Sequence, residues 1–258
     1  MEPGVDLERD GDVAIVTIRD PARRNALSPI IRSGLVEVFS ALMTEADDSR
    51  AIVLRGADGT FCSGGAIDTM EGIGSFSGRS RLQGVHRLVQ LLVRGEKPVV
   101  AAVEGYAFGG GFSLALACDH VVAGRDARFG ASFGKLGLMP DMGLLWTLPQ
   151  RVGVGRAKEM IMLATVVDAE EGLQTGLVDE VADSGGALAA AMALAERFAA
   201  TAPSATGLTK AMLARHPLGL EDQLEWEAQG QGLLFTTADV AEGVAAFRAK
   251  RPATFKGE

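Results

Sequence analysis

Apolar and polar residues alternate over Asp12–Asp20 (DVAIVTIRD), and the β-branched content of this stretch predicts a strand. The period then changes. In SPIIRSGLVEVFSALMTEADD the apolar positions recur every three to four residues, with Ser28 placed as N-cap and Pro29 at the first helical position, so a helix follows. RAIVLRGADG reads as a short buried strand ending in a turn, and KPVVAAVEGYAF, Lys97–Phe108, as another. A glycine triplet, Gly109–Gly111, leads into an apolar helix over Phe112–Ala117, and DHVVAGRDARFG holds two short strands about a Gly-Arg-Asp turn. Beyond Pro140 the helical period dominates. It predicts helices over Met142–Arg151, Gly155–Ala164, Ala187–Thr201 and Ser204–Arg215, a helix–turn–strand in AEEGLQTGLVDEVA, and a last long helix from Leu220. Strands alternating with helices, then a mainly helical second half, specify an α/β chain. Glu71–Ser80, EGIGSFSGRS, is rich in Gly and Ser; it reads as a mobile loop, either a plain connector or a lid over a site.

Composition narrows the class. The 258 residues are 47% apolar, enough for one sizeable core. The net charge is -8, from 33 acidic and 25 basic residues, which argues against a nucleic-acid or membrane-surface partner. The first twenty residues are charged and contain no apolar signal segment, and no run approaches the length of a membrane span. A cytoplasmic protein is expected. The two cysteines, Cys62 and Cys118, stand in apolar company and read as reduced core thiols. The three histidines, His86, His120 and His216, show no metal-ligand spacing and no nucleophile pattern, so no metal site is expected.

The triplet in GYAFGGGFSLALACD needs an explanation, because glycine is poor in a helix. It could cradle a phosphate, but the GxGxxG spacing and the Walker lysine are absent. It could allow a helix to pack closely on a sheet. It could also present a backbone N–H at a helix N-terminus to a developing oxyanion. A second glycine pair, Gly64-Gly65 in GTFCSGGAIDTM, follows another strand and would supply a second donor.

Together these segments resemble the crotonase (enoyl-CoA hydratase/isomerase) superfamily over nearly the whole chain. RRNALS at Arg23–Ser28 is similar to that family's early CoA-contacting loop. FCSGGAID and AAVEGYAFGGGFSLALACD are similar to its two oxyanion segments. ARFG, KLGLMPDMG and LPQRVG resemble the segment that follows, and AFRAKR at Ala246–Arg251 resembles its C-terminal CoA-reaching helix. The resemblance implies a spiral of ββα units over residues 1–200 and a helical oligomerisation region over residues 201–258, assembled as a homotrimer or a dimer of trimers. It implies a coenzyme A thioester as substrate, with no separate cofactor. It places the oxyanion donors at the N–H groups of Gly65 and Gly110. Substrate contacts fall at Arg23, Arg24, Ala26, Ser63, Ala66, Ile67, Ser113, Phe133, Leu138, Phe247 and Lys250. Ala66 stands where the family usually has Asp, and Glu104 where it usually has Asn.

The resemblance also bears on the reaction. The family's hydratases hold one water between two glutamates, and those positions are Ser113 and Phe133 here. Isomerisation of a double bond needs a single acid/base. The candidate is Asp141 in KLGLMPDMG, which resembles the epoxyphenylacetyl-CoA isomerase branch. From spacing alone the favoured reading of Asp141 is a helix N-cap, and it is the resemblance that makes it the acid/base. The expected function is an enoyl-CoA isomerase working through a thioester enolate. The alternatives are a hydratase, another crotonase reaction, or a CoA-binding homologue without catalysis. Asp68 and Glu71 read as loop acids, and Glu104 and Asp119 as structural ones.

Overall fold

A computed structural model describes residues 2–215 and 217–258; Met1 and His216 lie outside the described residues. The chain opens with an antiparallel pair, β1 (Gly4–Asp10) and β2 (Val13–Arg19), then α1 (Pro29–Leu42) and β3 (Ala51–Gly56). Next come α2 (Ser75–Arg94), β4 (Val99–Val103), β5 (Tyr106–Phe108) and α3 (Gly110–Ala117). β6 (His120–Gly124) and β7 (Arg128–Gly130) lead to α4 (Leu144–Met162), β8 (Val166–Asp168), α5 (Ala169–Thr175) and β9 (Glu180–Ala182). The chain ends in α6 (Ala187–Ala199), α7 (Pro203–Leu213), α8 (Leu220–Leu234) and α9 (Ala238–Ala249).

Six strands form one sheet in the order β1-β2-β3-β4-β6-β9, parallel from β2 onward, and β5-β7-β8 form a smaller second sheet. The central parallel strands β3, β4 and β6 are buried on both faces, as crossover helices require. Their alternate residues feed two cores. Ile52, Leu54, Val99, Ala101 and Val103 join α1, α2 and α3 on one side. Val53, Val100, Ala102 and Val122 meet the alanine stripe Ala187, Ala191, Ala195 and Ala199 of α6 on the other. Four alanines at i, i+4 spacing leave no bulk between helix and sheet, so α6 lies close against the strands.

Several sequence expectations are corrected. Lys97–Phe108 is not one strand. It breaks at Glu104-Gly105 and passes from the large sheet to the small one, which carries the chain to the glycine triplet. The Glu104 carboxylate accepts hydrogen bonds from the N–H groups of Ala187 (2.8 Å) and Gly185 (3.2 Å) at the start of α6, the structural role expected of it. Glu71–Ser80 is a loop only as far as Gly74, since α2 begins at Ser75 despite the Gly and Ser content. The last helix is two helices, and β1 was not anticipated because its outward face is polar. The break expected between the two helices after Pro140 is present at Gly153, inside α4. α7 is tied to the sheet by Lys210, whose ammonium donates to Asp119 Oδ2 (2.6 Å) and to the Lys97 carbonyl (2.8 Å). Burial pushes the Asp119 carboxyl above its ordinary value, against the opposing pull of Lys210. No described helix is long and apolar enough to cross a membrane.

Candidate active site

The end of β3 and the end of β5 are stitched together by the segment Phe61–Gly65. Cys62 donates its N–H to the Tyr106 carbonyl (2.8 Å) and accepts from the Phe108 N–H (3.0 Å). The Leu27 N–H donates to the Gly64 carbonyl (2.7 Å), which brings in the loop before α1. The Asn25 side chain is fully buried and holds that loop in place: its amide donates to the Ala57 and Thr60 carbonyls, and its oxygen accepts from the Asp20 N–H. Both glycine segments therefore end at one place.

The triplet divides its work. Gly109 has φ 51° and ψ -121°, a conformation that side chains rarely adopt, and it turns β5 into α3. Gly111 allows close approach, since a methyl there would lie 2.3 Å from the Cys62 carbonyl oxygen. Gly110 stands at the first position of α3, where an N–H has no partner inside the helix. A Cβ on Gly110 would lie 3.9 Å from the Gly65 amide nitrogen, so the two amides are neighbours. Neither N–H has a backbone acceptor among the described residues. Of the three explanations, close packing applies to Gly111 and an open N–H to Gly110.

Gly65 and Gly110 line a cavity of about 290 Å³. Its wall is mainly apolar, from Leu27, Ile67, Met70, Leu82, Val85, Phe133, Leu136, Leu138 and Met142. Asp141 is its one carboxylate among the described residues, and Arg32, Arg81 and Lys135 bring positive charge. Asp141 is not an N-cap. The residue before α4 is Gly143, and the bond to Leu144 comes from the Asp141 backbone carbonyl, not its side chain. Asp141 Oδ1 is buried without a hydrogen-bond partner. Burial pushes the Asp141 carboxyl above the usual carboxylate range; Arg81, Arg32 and, more weakly, His86 pull it back. The next residue, Met142, has φ 50°, a left-handed conformation that costs a side chain about 1–2 kcal/mol and is concentrated at functional sites.

Seven of the expected site residues share this cavity: Ser63, Gly65, Ile67, Gly110, Phe133, Leu138 and Asp141. The others lie outside its wall. Ser113 is fully buried in α3 with its hydroxyl donating to the Gly109 carbonyl (3.3 Å), and Ala26 and Ala66 are buried beside the loops. Arg23 forms an exposed ion pair with Asp68 (3.1 Å), and the Arg24 guanidinium lies over the Tyr106 ring. Phe247 is 86% exposed and Lys250 ends α9 in a left-handed conformation, so neither touches this cavity within the chain. Sequence reasoning missed Arg32 and Arg81. Each does follow the apolar stripe of its helix: Arg32 precedes the buried Leu35 and Phe39 by three and seven residues, and Arg81 precedes Val85 and Leu88 by four and seven. A charge on a core-facing stripe was the available signal. Cys62 and Cys118 are buried free thiols pushed up to about 12 by burial, hence unreactive.

Two neighbouring glycine N–H groups, a mainly apolar wall and one half-buried carboxylate thus share a single cavity. The sequence matches the enoyl-CoA hydratase/isomerase family over residues 8–258, and the chain belongs to that family. It is 33% identical over 249 residues to the short-chain-enoyl-CoA hydratase of Clostridium acetobutylicum, covering 95% of this chain and 94% of the relative. It is 34% identical over 252 residues to the 1,2-epoxyphenylacetyl-CoA isomerase of Escherichia coli, covering 95% of each. The crystal structure of an enoyl-CoA hydratase from Polaromonas superposes with a TM-score of 0.93 at 32% identity, over 98% of this chain and all of that one. The fold is therefore the crotonase fold, and the chain is an acyl-CoA-processing member of that family.

Proposed function

We propose that the protein is an enoyl-CoA double-bond isomerase, with Asp141 as its single acid/base and the Gly65 and Gly110 N–H groups as its oxyanion hole. The observation that carries this reading is that Asp141 alone, among the described carboxylates, lines the cavity that holds both glycines. A 3-enoyl thioester loses a proton from its α carbon to the Asp141 carboxylate. The electron pair moves onto the thioester carbonyl, and the two N–H groups hold the resulting dienolate oxygen. The protonated Asp141 then returns the proton to the γ carbon, the electron pair flows back, and the double bond becomes conjugated with the thioester. The carbonyl oxygen bears more charge in the dienolate than in the substrate, so the N–H donors favour the transition state; each is worth about 3–4 kcal/mol. A carboxyl raised by burial is a stronger base than an ordinary Asp and releases its proton less easily in water, which suits a group that must carry one proton between two carbons.

Hydration is the second reading, favoured by the relative named as a hydratase. It asks for a second group on the water, and Phe133 and the occluded Ser113 cannot supply a carboxylate. Incubation with a 3-enoyl-CoA and, separately, a 2-enoyl-CoA distinguishes the two. An isomerase converts the first to a conjugated product of unchanged mass and leaves the second without added water. Addition of one water to the 2-enoyl thioester as the faster reaction would overturn the proposal.

A further inference from the structure

The cavity holds more positive charge than its carboxylate balances. Two guanidinium groups, Arg32 from α1 and Arg81 from α2, line it together with one acid, Asp141. Both arginines sit on the core-facing stripes of their helices, where a charge is costly unless something pairs with it. Arg81 is held in place: one of its terminal nitrogens donates to the Thr69 carbonyl and to the Thr69 hydroxyl, each at 3.0 Å. Its remaining donors are uncommitted among the described residues. The Arg32 guanidinium has no hydrogen bond or ion pair to any described residue, and the charges acting on it are the like charge of Arg81 and the opposite charge of Asp141. Asp141 does not satisfy them, because its Oδ1 is buried without a partner and so makes no two-pronged contact with either guanidinium. Even with Asp141 ionised, the two arginines, with Lys135 as a third cation on the wall, leave a net positive charge within a mainly apolar cavity. A guest whose acyl chain is purely hydrocarbon would bury that charge further. A guest carrying an anion would neutralise it, and a guanidinium fork matches a carboxylate with two parallel N–H bonds.

Resting on the isomerase reading of the same site, we propose that the preferred acyl chain carries a carboxylate of its own, and that Arg32 and Arg81 are the residues that select it. Arg81, braced by Thr69, sets the orientation of the carboxylate. Arg32 supplies the second cation. The apolar side chains Leu82, next to Arg81, and Val85, one turn further along α2, cover the chain between the thioester and its charged end.

The test compares two 3-enoyl-CoA thioesters of equal length, one ending in methyl and one in carboxylate, with free coenzyme A as a third probe. Kd is read by calorimetry and kcat/KM by product formation, for the wild type, Arg32→Gln and Arg81→Gln, with Arg32→Lys to retain charge. The expected result is a preference of about 10- to 100-fold for the carboxylate thioester in the wild type, falling towards unity in either Gln variant and partly kept in Arg32→Lys. Equal binding of the two thioesters by the wild type overturns the inference. So does an equal loss of affinity for both thioesters and free coenzyme A in the Gln variants, which would assign the arginines to the coenzyme's phosphates. A pH profile displaced equally on both substrates with the preference intact also overturns it, since the arginines would then act only on Asp141. The binding arm separates this inference from the reaction: tight, arginine-dependent binding of the carboxylate thioester without isomerisation upholds the inference and sinks the isomerase reading.

Discussion

Gly111→Ala and Gly110→Ala, neighbouring changes of one methyl, are expected to fail in different ways. At Gly111 the added carbon would stand 2.3 Å from the Cys62 carbonyl oxygen, 2.7 Å from Cys62 Cβ and 2.9 Å from its carbonyl carbon. These contacts must open to at least 3.0 Å, and the nearest obstacle is backbone already committed to bonds with Tyr106 and Phe108. α3 as a whole has to withdraw from the strand-end segment. All eight of its residues are buried, so the movement disturbs packing on every side. Overpacking of this kind costs about 1–3 kcal/mol. For a chain of this size each kcal/mol lowers the melting temperature by about 2–4 °C, so Gly111→Ala melts roughly 2–12 °C below the wild type. At Gly110 the closest contacts of the methyl are the ends of side chains, Leu27 Cδ1 at 3.0 Å and Met142 Sδ at 3.5 Å, with the Gly65 backbone nitrogen at an ordinary 3.9 Å. Both side chains can give, and Ala is the better helix former. Gly110→Ala therefore loses less stability than Gly111→Ala, yet on the proposed mechanism it loses activity, because the methyl enters the cavity beside the two N–H groups proposed as oxyanion donors. Thermal unfolding by circular dichroism and kcat/KM on one acyl-CoA measure the two effects. A Gly111→Ala protein as stable as Gly110→Ala would refute the division of roles within the triplet.

Three further outcomes follow from the same contacts. Lys210→Met takes the bonded cation from the half-buried Asp119 carboxylate, leaving only Arg151 near it, and should cost about 1–3 kcal/mol in denaturant unfolding, because Lys210 ties α7 to the sheet. Glu104→Ala removes the acceptor for two N–H groups at the head of α6 and should cost about 1–2 kcal/mol, with the loss of hydrogen-exchange protection concentrated in α6. Asp141→Asn should raise stability at neutral pH. Burial raises the folded-state pKa of this carboxyl, so its favourable contribution is present below the unfolded pKa and is lost as pH rises through the folded one. An Asn does not titrate, so its advantage over the wild type narrows as the pH is lowered, which melting curves across a pH series would show.

Much of the architecture was legible because hydrophobic period reports burial. The alternation in β2, the capped helix α1 with its Ser28 and Pro29, and the paired helices after Pro140 all follow from single-sided or two-sided packing. The pattern failed where an element's environment changes along its length. VVAAVEGYAF is uniformly apolar up to Glu104, so nothing in it marks the passage from one sheet to another. α2 begins in a Gly- and Ser-rich stretch because its later turns, through Val85 and Leu88, anchor it by packing rather than by propensity. In the site, the glycine segments and Asp141 were recognisable as short motifs. Arg32 and Arg81 were not, since each is one residue on a helix far from those motifs in sequence, and only the fold brings α1 and α2 to the same wall. The capping role considered for Asp141 is a local inference, and the three-dimensional arrangement replaces it: Gly143 ends the loop, and the Asp141 carboxyl is left free.

The central claim is that one carboxylate carries one proton across the substrate. Its most direct test gives a 3-enoyl-CoA to the wild type and to Asp141→Asn in deuterated water, following product structure by NMR and deuterium content by mass spectrometry, with coenzyme A affinity measured alongside. The account predicts a conjugated product carrying deuterium at the γ carbon to the extent that Asp141 exchanges with solvent during turnover. It also predicts a fall of about 10²–10⁴-fold in turnover for the Asn protein with affinity for the thioester retained. Isomerisation by Asp141→Asn at the wild-type rate would contradict it.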